Sequence, residues 1–545
     1  MQTNTTLQFK LNHYLLFILL GFIYVIVAVA EWSYGYIDFG DGNYMYIGWR
    51  IAQGAVVYRD ILAPQPPAHL YLGAVVYKVA QWTNIEPLWA FRGASVLIHL
   101  VTLGLIAALA RRAWGKPSVA VVAVAIYMWL PIGFRWALGW QSEPLEIVWL
   151  LAMMLAALKG TRRGDIAAGL FATLAAMTNA TAAPFLLVAI MYMLCVAWRR
   201  ALWMAVPSIV LAAAIVAVME SFTGGYFLDN TVFNQMGTYP PDFWAYALFD
   251  KLLPQSANVI IIEGFFLFAG LLAVARYFKS SPLDRISRGG LGWFFVVTLG
   301  SILYVTKGGT VDYIFSLSEP AVAILAAGEL VAWAHRWWRM EDGEPAVAQR
   351  LAGVPIALAL AFFALAPGAA IHWKLWRQDI YELPQAQTLE VRSLLRDYSK
   401  PGEKVLAPPF YAFLARRELW GDYSELFIWT VKWRNDLVAN NPDGEGIRKV
   451  LAMAADIKAR KIPIVILEMD QTGIIPNVMN ALREQYQPLQ PNVIRTNNTK
   501  LGVFVPATDK AEQARRWEDF QSGLVKVYGM GGVRKFGMWM NLPAS

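Results

Sequence analysis

Long apolar runs recur along this chain and are interrupted by short clusters of arginine and lysine. A bilayer-crossing helix needs roughly 20 largely apolar residues, and runs of about that scale fall at 14–30, 93–110, 118–133, 144–159, 166–182, 184–198, 202–220, 257–276, 291–306, 319–335 and 352–371. Composition agrees: 57% of the 545 residues are hydrophobic and 16% charged, where a soluble domain carries about a quarter charged residues. The chain lacks the polar surface to cover that apolar area in water, so lipid must cover it.

Charge then orients the runs. With Lys10 and the N-terminus on the cytoplasmic side, every second connection carries basic residues: Arg111, Arg112 and Lys116; Lys159, Arg162 and Arg163; Arg199 and Arg200; Lys279, Arg285 and Arg288; Arg336, Arg339 and Arg350. The intervening connections are poor in them, as the positive-inside rule requires. The sequence therefore predicts about 11 transmembrane helices in the cell (inner) membrane, with the C-terminus on the extracytoplasmic side. The net charge of +8 belongs to this pattern and not to a nucleic-acid surface. Ala28-Val29-Ala30 resembles a signal-peptidase site, but the apolar run before it is long for a signal peptide, which favours a retained anchor.

One cysteine, Cys195, leaves no disulfide framework or thiolate zinc site within the chain, and five histidines without HExxH spacing argue against a zinc hydrolase. Walker and dinucleotide fingerprints are absent too, which disfavours ATP-driven transport and nucleotide-sugar use.

Two outside loops are long. The first, about 31–92, should hold amphipathic helices at 43–53 and 67–82, lying on the membrane surface. The second spans 221–256. After residue 371 the texture changes: helical segments at 386–399 and 445–460 alternate with β-rich runs at 404–408, 462–469 and 501–506. The fold class is thus a polytopic α-helical membrane protein, residues 1–371, followed by an extracytoplasmic α/β domain, residues 372–545.

The first loop contains Asp41, Gly42 and Tyr44, then Gly54, Tyr58-Arg59-Asp60 and Pro66-Pro67. In this order and spacing it resembles the GT-C superfamily of integral membrane glycosyltransferases, which includes protein O-mannosyltransferases and the aminoarabinose transferase acting on lipid A. The resemblance extends to Glu143 in the loop before the fourth span and to Tyr313 followed by Pro320. It departs from the family twice: Asn179 stands where a lysine is usual, and Asp312 where a His or Arg precedes the tyrosine. Lys307 is the nearest cation to the second departure.

The resemblance implies an inverting transfer of sugar from a polyprenyl-phosphate donor to a glycan, lipid or protein acceptor at the outer membrane face. Such a reaction needs a carboxylate near the lipid boundary to take the acceptor's proton, an effect of about 10²–10⁴-fold. Asp41 is the expected base and Asp38 its competitor, against the plainer reading of an outside-loop helix cap. Glu143 is either a solvated helix-terminal acid or a second catalytic acid. Asp60 is an acceptor or metal contact, or the ion-pair partner of Arg59. Positive charge for the departing phosphate is expected from Arg59, Lys307 and His69, with Tyr313 nearby, while Arg92 is read as an interfacial anchor. No cofactor is implied, and a divalent metal is left open.

A transporter or flippase of lipid-linked sugars is the main rival. It calls for ionisable groups inside the spans, which read as nearly free of charge apart from His99 and the Thr178-Asn179 pair. A non-catalytic polysaccharide-assembly protein on the same fold is the third reading.

Overall fold

The computed structural model describes residues 2–30, 39–130, 139–233, 253–277, 312–338, 385–421, 426–469, 475–495 and 500–540, with isolated helical residues between 362 and 373. Among the described residues, the longer helices before the terminal α/β region are α1 Gln2–Ala30, α2 Phe39–Ala52, α3 Pro67–Thr83, α4 Pro87–Trp114, α5 Pro117–Trp129, α6 Ser142–Ala157, α7 Arg162–Thr178, α8 Ala182–Thr223, α9 Leu253–Tyr277 and α10 Glu319–Trp338. Local signals set several ends. Pro67, Pro87 and Pro117 occupy first helical positions, where a missing N–H costs nothing. Asn84 and Gly115 close α3 and α4 in the left-handed conformation. The Thr161 hydroxyl accepts from the Gly164 N–H at 3.2 Å and caps α7.

The spans predicted between 14 and 276 and at 319–335 fall on these helices. That at 291–306 lies outside the described residues, as does most of 352–371. Two predicted spans share α8, whose backbone leaves helical geometry at Ala197 (φ −157°, ψ 69°). Arg200, just past the break, pairs with Asp165 at 2.7 Å and donates to the Ala157 carbonyl, so the break lies beside the α6–α7 turn. Beyond it, Thr173 of α7 donates to the Ser208 carbonyl at 3.0 Å, which ranges the second half of α8 along α7.

Large apolar side chains face outward in bands on α1, α8 and α9; Ile18 is 68% exposed, Ile209 66% and Ile261 70%. Exposed apolar surface of that extent needs lipid. Among the described residues, Pro87–Trp114 and Ala189–Thr223 are long and apolar enough to cross a membrane unaided. Several other helices carry acids. Those acids correct the expectation of spans nearly free of charge, for Glu146, Glu263 and Glu329 lie buried inside α6, α9 and α10. Glu329 is held by Arg276 at 2.9 Å, and Glu146 accepts from the Thr181 hydroxyl at 2.8 Å. Their partners come from neighbouring helices, which is why the linear pattern hides them.

The terminal region contains α11 Gln385–Asp397, β1 Lys404–Val405, α12 Pro409–Ala415, β2 Glu418–Leu419, α13 Leu426–Val438, α14 Glu445–Lys458, β3 Val465–Glu468, α15 Pro476–Gln485, β4 Tyr486–Pro488, β5 Ile494–Arg495, β6 Lys500–Pro506 and α16 Lys510–Met540. β1 and β2 pair in parallel, while β6 is the hub of an antiparallel sheet with β3, β4 and β5. Every residue of β3 and nearly all of β6 is buried, packed beneath α14, α15 and the start of α16 around Phe504 and Trp517. The α/β texture read from the sequence is thus present, enlarged by α12, α13, α15 and the long α16.

Helices α2 and α3 were expected to lie on the membrane surface. Instead α2 is enclosed: Met45 and Ile47 are fully buried, and Trp49 is nearly so. The polar Asp41 and Asn43 are buried as well, so α2 is covered all round from residue 41 to 49. One core joins Tyr44, Trp49, Leu70 and Phe91 to Val405, Phe410, Phe413 and Val503 of the terminal region. The first loop is therefore clamped between the bundle and the terminal sheet.

Candidate functional site

Asp41 lies in the first turn of α2 and is fully buried. Arg92, in the second turn of α4, grips it with two parallel hydrogen bonds, Nη1 to Oδ1 at 2.7 Å and Nη2 to Oδ2 at 2.8 Å. The Trp140 backbone N–H adds a third at 2.5 Å to Oδ1. Bidentate guanidinium–carboxylate pairs are among the stronger and more directional contacts available to side chains. Arg92 is accordingly no interfacial anchor; it is 1% exposed and committed to Asp41.

The Trp140 side chain continues the arrangement. It stacks on His69, with ring centroids 4.6 Å apart and planes 24° from parallel, and Tyr44 meets the other side of His69 edge-on at 5.2 Å. Burial of His69 pushes its pKa down to about 3, weakly opposed by the Trp140 backbone. The expectation of a cation at His69 is corrected: at neutral pH it is an uncharged ring in an aromatic stack.

This has a measurable consequence. The folded protein keeps His69 neutral, whereas the unfolded chain protonates it below about 6.5. Its contribution to stability is complete above 6.5 and fades as pH falls toward 3, by about 1.4 kcal/mol per pH unit. His69→Phe keeps the stack and removes the proton site. Its thermal unfolding in detergent should lose less stability than wild type between pH 6.5 and 4; equal acid slopes would contradict the assignment.

Two residues beyond Trp140 a second polar group begins. Asn179 donates from Nδ2 to Glu143 Oε1 at 2.9 Å and to the Ser142 hydroxyl at 3.0 Å. Glu143 is 6% exposed, so the reading of a solvated helix-terminal acid gives way to a buried, hydrogen-bonded one. Asn179, which stands where the GT-C pattern has a lysine, reaches this acid with an amide. The segment 139–143 thus connects Asp41, His69 and Glu143.

The Tyr58-Arg59-Asp60 motif plays a different part. Arg59 and Asp60 form an exposed pair at 2.8 Å, and Asp60 Oδ2 accepts the Val56 N–H at 2.8 Å. The Arg59 hydrogen bond lowers the Asp60 pKa, as its partner's rises. Tyr58 takes the left-handed conformation at φ 73° and donates its hydroxyl to the Gln65 carbonyl at 2.8 Å. Asn230 donates to the Tyr58 carbonyl at 3.1 Å, fastening the second long loop to this turn. Of the two readings of Asp60, the ion pair is the one observed.

Asp38 and Lys307 lie outside the described residues, and of Tyr313 only its place in the 3₁₀ turn Asp312–Leu317 is described. Among the described residues no three His, Cys, Asp or Glu side chains are grouped to hold a metal ion. Sequence reasoning missed Arg92 as the partner of Asp41. The available signal was a full charge placed within the first turns of an apolar helix, where an unpaired arginine is costly.

Residues 64–222 match the family described as dolichyl-phosphate-mannose-protein mannosyltransferase. A search of curated proteins finds no sequence match. Among solved structures, the chain resembles ArnT from Cupriavidus metallidurans bound to undecaprenyl phosphate, at 14% identity and a TM-score of 0.59, over 89% of this chain and 97% of that one. It also resembles the archaeal oligosaccharyltransferase AglB from Archaeoglobus fulgidus in complex with an inhibitory peptide and a dolichol-phosphate, at 12% identity and a TM-score of 0.53, over 92% of this chain and 75% of that one. The chain therefore has the fold of these membrane proteins, and its segment 64–222 carries the mannosyltransferase family match. In this chain, too, a helical bundle is followed by a C-terminal α/β region.

Proposed function

We propose that the chain moves a sugar from a polyprenyl-phosphate donor to a glycan, lipid or protein acceptor at the outer face of the cell membrane, with inversion at the anomeric carbon. The observation that carries the reading is the buried Asp41 constellation at the junction of the bundle and the first outside loop. An ionised carboxylate has about four acceptor positions. Arg92 and the Trp140 N–H occupy three among the described residues. The fourth, on Oδ2, suits an acceptor hydroxyl whose proton leaves as the new bond forms. Asp38, one turn earlier in the sequence, is the alternative base.

Glu143, oriented by Asn179, assists at the other end of segment 139–143. Arg59 and Lys307 are the cations assigned to the departing phosphate, with Tyr313 beside them. For Arg59 this requires sharing the guanidinium with Asp60. The similar structures support the donor class: ArnT was solved with undecaprenyl phosphate and AglB with a dolichol-phosphate.

The test is reconstitution of the full chain in vesicles with a radiolabelled polyprenyl-phosphate sugar and a membrane-envelope acceptor extract. Label should pass to an acceptor that no longer partitions with the donor lipid, and polyprenyl phosphate should be released. Label that crosses the vesicle membrane while still on its lipid, with no transfer, would replace this reading by the transport one, which the buried Glu146 and Glu263 make the natural competitor.

A further inference from the structure

A group of arginines gathers where the terminal region meets the start of α4. Arg392 and Arg396 are one turn apart on α11 and so share a face. Arg416 approaches from the end of α12, held in the left-handed conformation at φ 58°. Its guanidinium lies over the rings of Phe413 and Tyr77, at 4.7 and 5.4 Å from their centroids, and donates to the Phe413 carbonyl at 3.1 Å. Arg396 donates to the Leu414 carbonyl at 3.2 Å.

Of the acids on α11, Glu390 accepts from Gln490 and Asp397 follows Arg396 in sequence. Among the described residues, Glu86 is the carboxylate acting on this group, 4.0 Å from Arg392. Burial, then the charges of Arg392 and Arg417, lowers the Arg396 pKa, and Glu86 only partly opposes them. Burial likewise lowers that of Arg416, with Arg396 adding to the effect. Like charges held together by aromatic seats and carbonyl bonds, without matching acids, make an arrangement that an anion relieves. Guanidinium forks match phosphate oxygens in particular. Just before Glu86, Trp82 and Ile85 are 84% and 49% exposed, offering apolar contact beside the charge.

We propose that Arg392, Arg396 and Arg416 form a binding site for a phosphate monoester, separate from the Asp41 centre. Glu86 precedes Arg92 by six residues, about 9 Å of helix rise. A phosphorylated molecule held here would therefore lie on the approach to that centre. The site does not depend on the transfer reading, because binding can be measured without turnover.

The experiment measures binding of dioctanoyl phosphatidic acid and of glucose 1-phosphate to the full chain in detergent, by native mass spectrometry and thermophoresis. Wild type should bind at least one of them. Arg392→Gln/Arg396→Gln should weaken that binding about 10-fold or more, while Arg392→Lys/Arg396→Lys retains most of it. Arg448→Gln, elsewhere on the terminal region, should leave it unchanged. Preference for phosphatidic acid would assign a lipid headgroup, and equal binding of the sugar phosphate a soluble ligand; both support the site. Absence of binding to wild type, or equal binding by the Gln double variant with an unaltered melting temperature, overturns it.

Discussion

Asp41→Asn should lower sugar transfer by about 10²–10⁴-fold and, in the same protein, lower stability by about 3–5 kcal/mol. The two effects have different origins. Transfer falls because an amide cannot take the acceptor's proton. Stability falls because Arg92, 1% exposed, is left as a buried charge facing a neutral group. A loss of activity in this variant alone therefore proves little.

Asp41→Asn/Arg92→Gln separates them. Removing both charges relieves the unpaired cation, so most of the lost stability should return on thermal unfolding in detergent. Transfer should not. Arg92→Lys, which still offers Asp41 a cation, should keep measurable transfer. Recovery of transfer in the double variant would show that Asp41 serves the fold and not the chemistry.

Gly42→Ala should lower stability by about 1–3 kcal/mol and loosen the terminal region from the bundle. A Cβ at residue 42 would sit about 3.0 Å from the Phe410 Cα, a backbone atom that no rotamer change can move aside. The α2–α12 contact would have to open, and with it the core that joins Tyr44 and Trp49 to Phe413. The Leu419 N–H bond to the Tyr46 hydroxyl, 2.8 Å, would lengthen as well. Gly104→Ala is the control. A Cβ there meets nothing within 4 Å, and the helix gains from losing a glycine. Limited proteolysis should cut the terminal region away faster in Gly42→Ala than in wild type, with Gly104→Ala unchanged. Equal rates in all three would mean that the clamp on α2 does not hold the two parts together.

The short distance from Gly42 to the terminal region also explains why the first-loop motif reads as it does. Asp41, Gly42 and Tyr44 are neighbours in sequence with three separate tasks: pairing with Arg92, admitting Phe410, and bracing His69. Asp41 alone of the three was singled out for chemistry, and its pairing with Arg92 was not foreseen.

Local signals alone mark the apolar helices, the α2 and α3 positions and the α/β texture of the terminal region. Those follow from local quantities, because hydropathy, helix caps and strand-forming runs act over a few residues to twenty. The predicted span ends at 110 and 182 lie four residues from the helix ends at Trp114 and Thr178. Asp41 was also singled out from the motif alone.

Tertiary structure decided what each polar side chain faces. Asp41 and Arg92 are separated by 51 positions, Glu143 and Asn179 by 36, and Asn230 and Tyr58 by 172. No local pattern encodes such pairs. Whether a buried charge is tolerated depends on a partner brought from another helix, since desolvation is offset only by contact in space. The same reason turned His69 from an expected cation into a neutral ring, and α2 from a surface helix into the enclosed one on which the site is built.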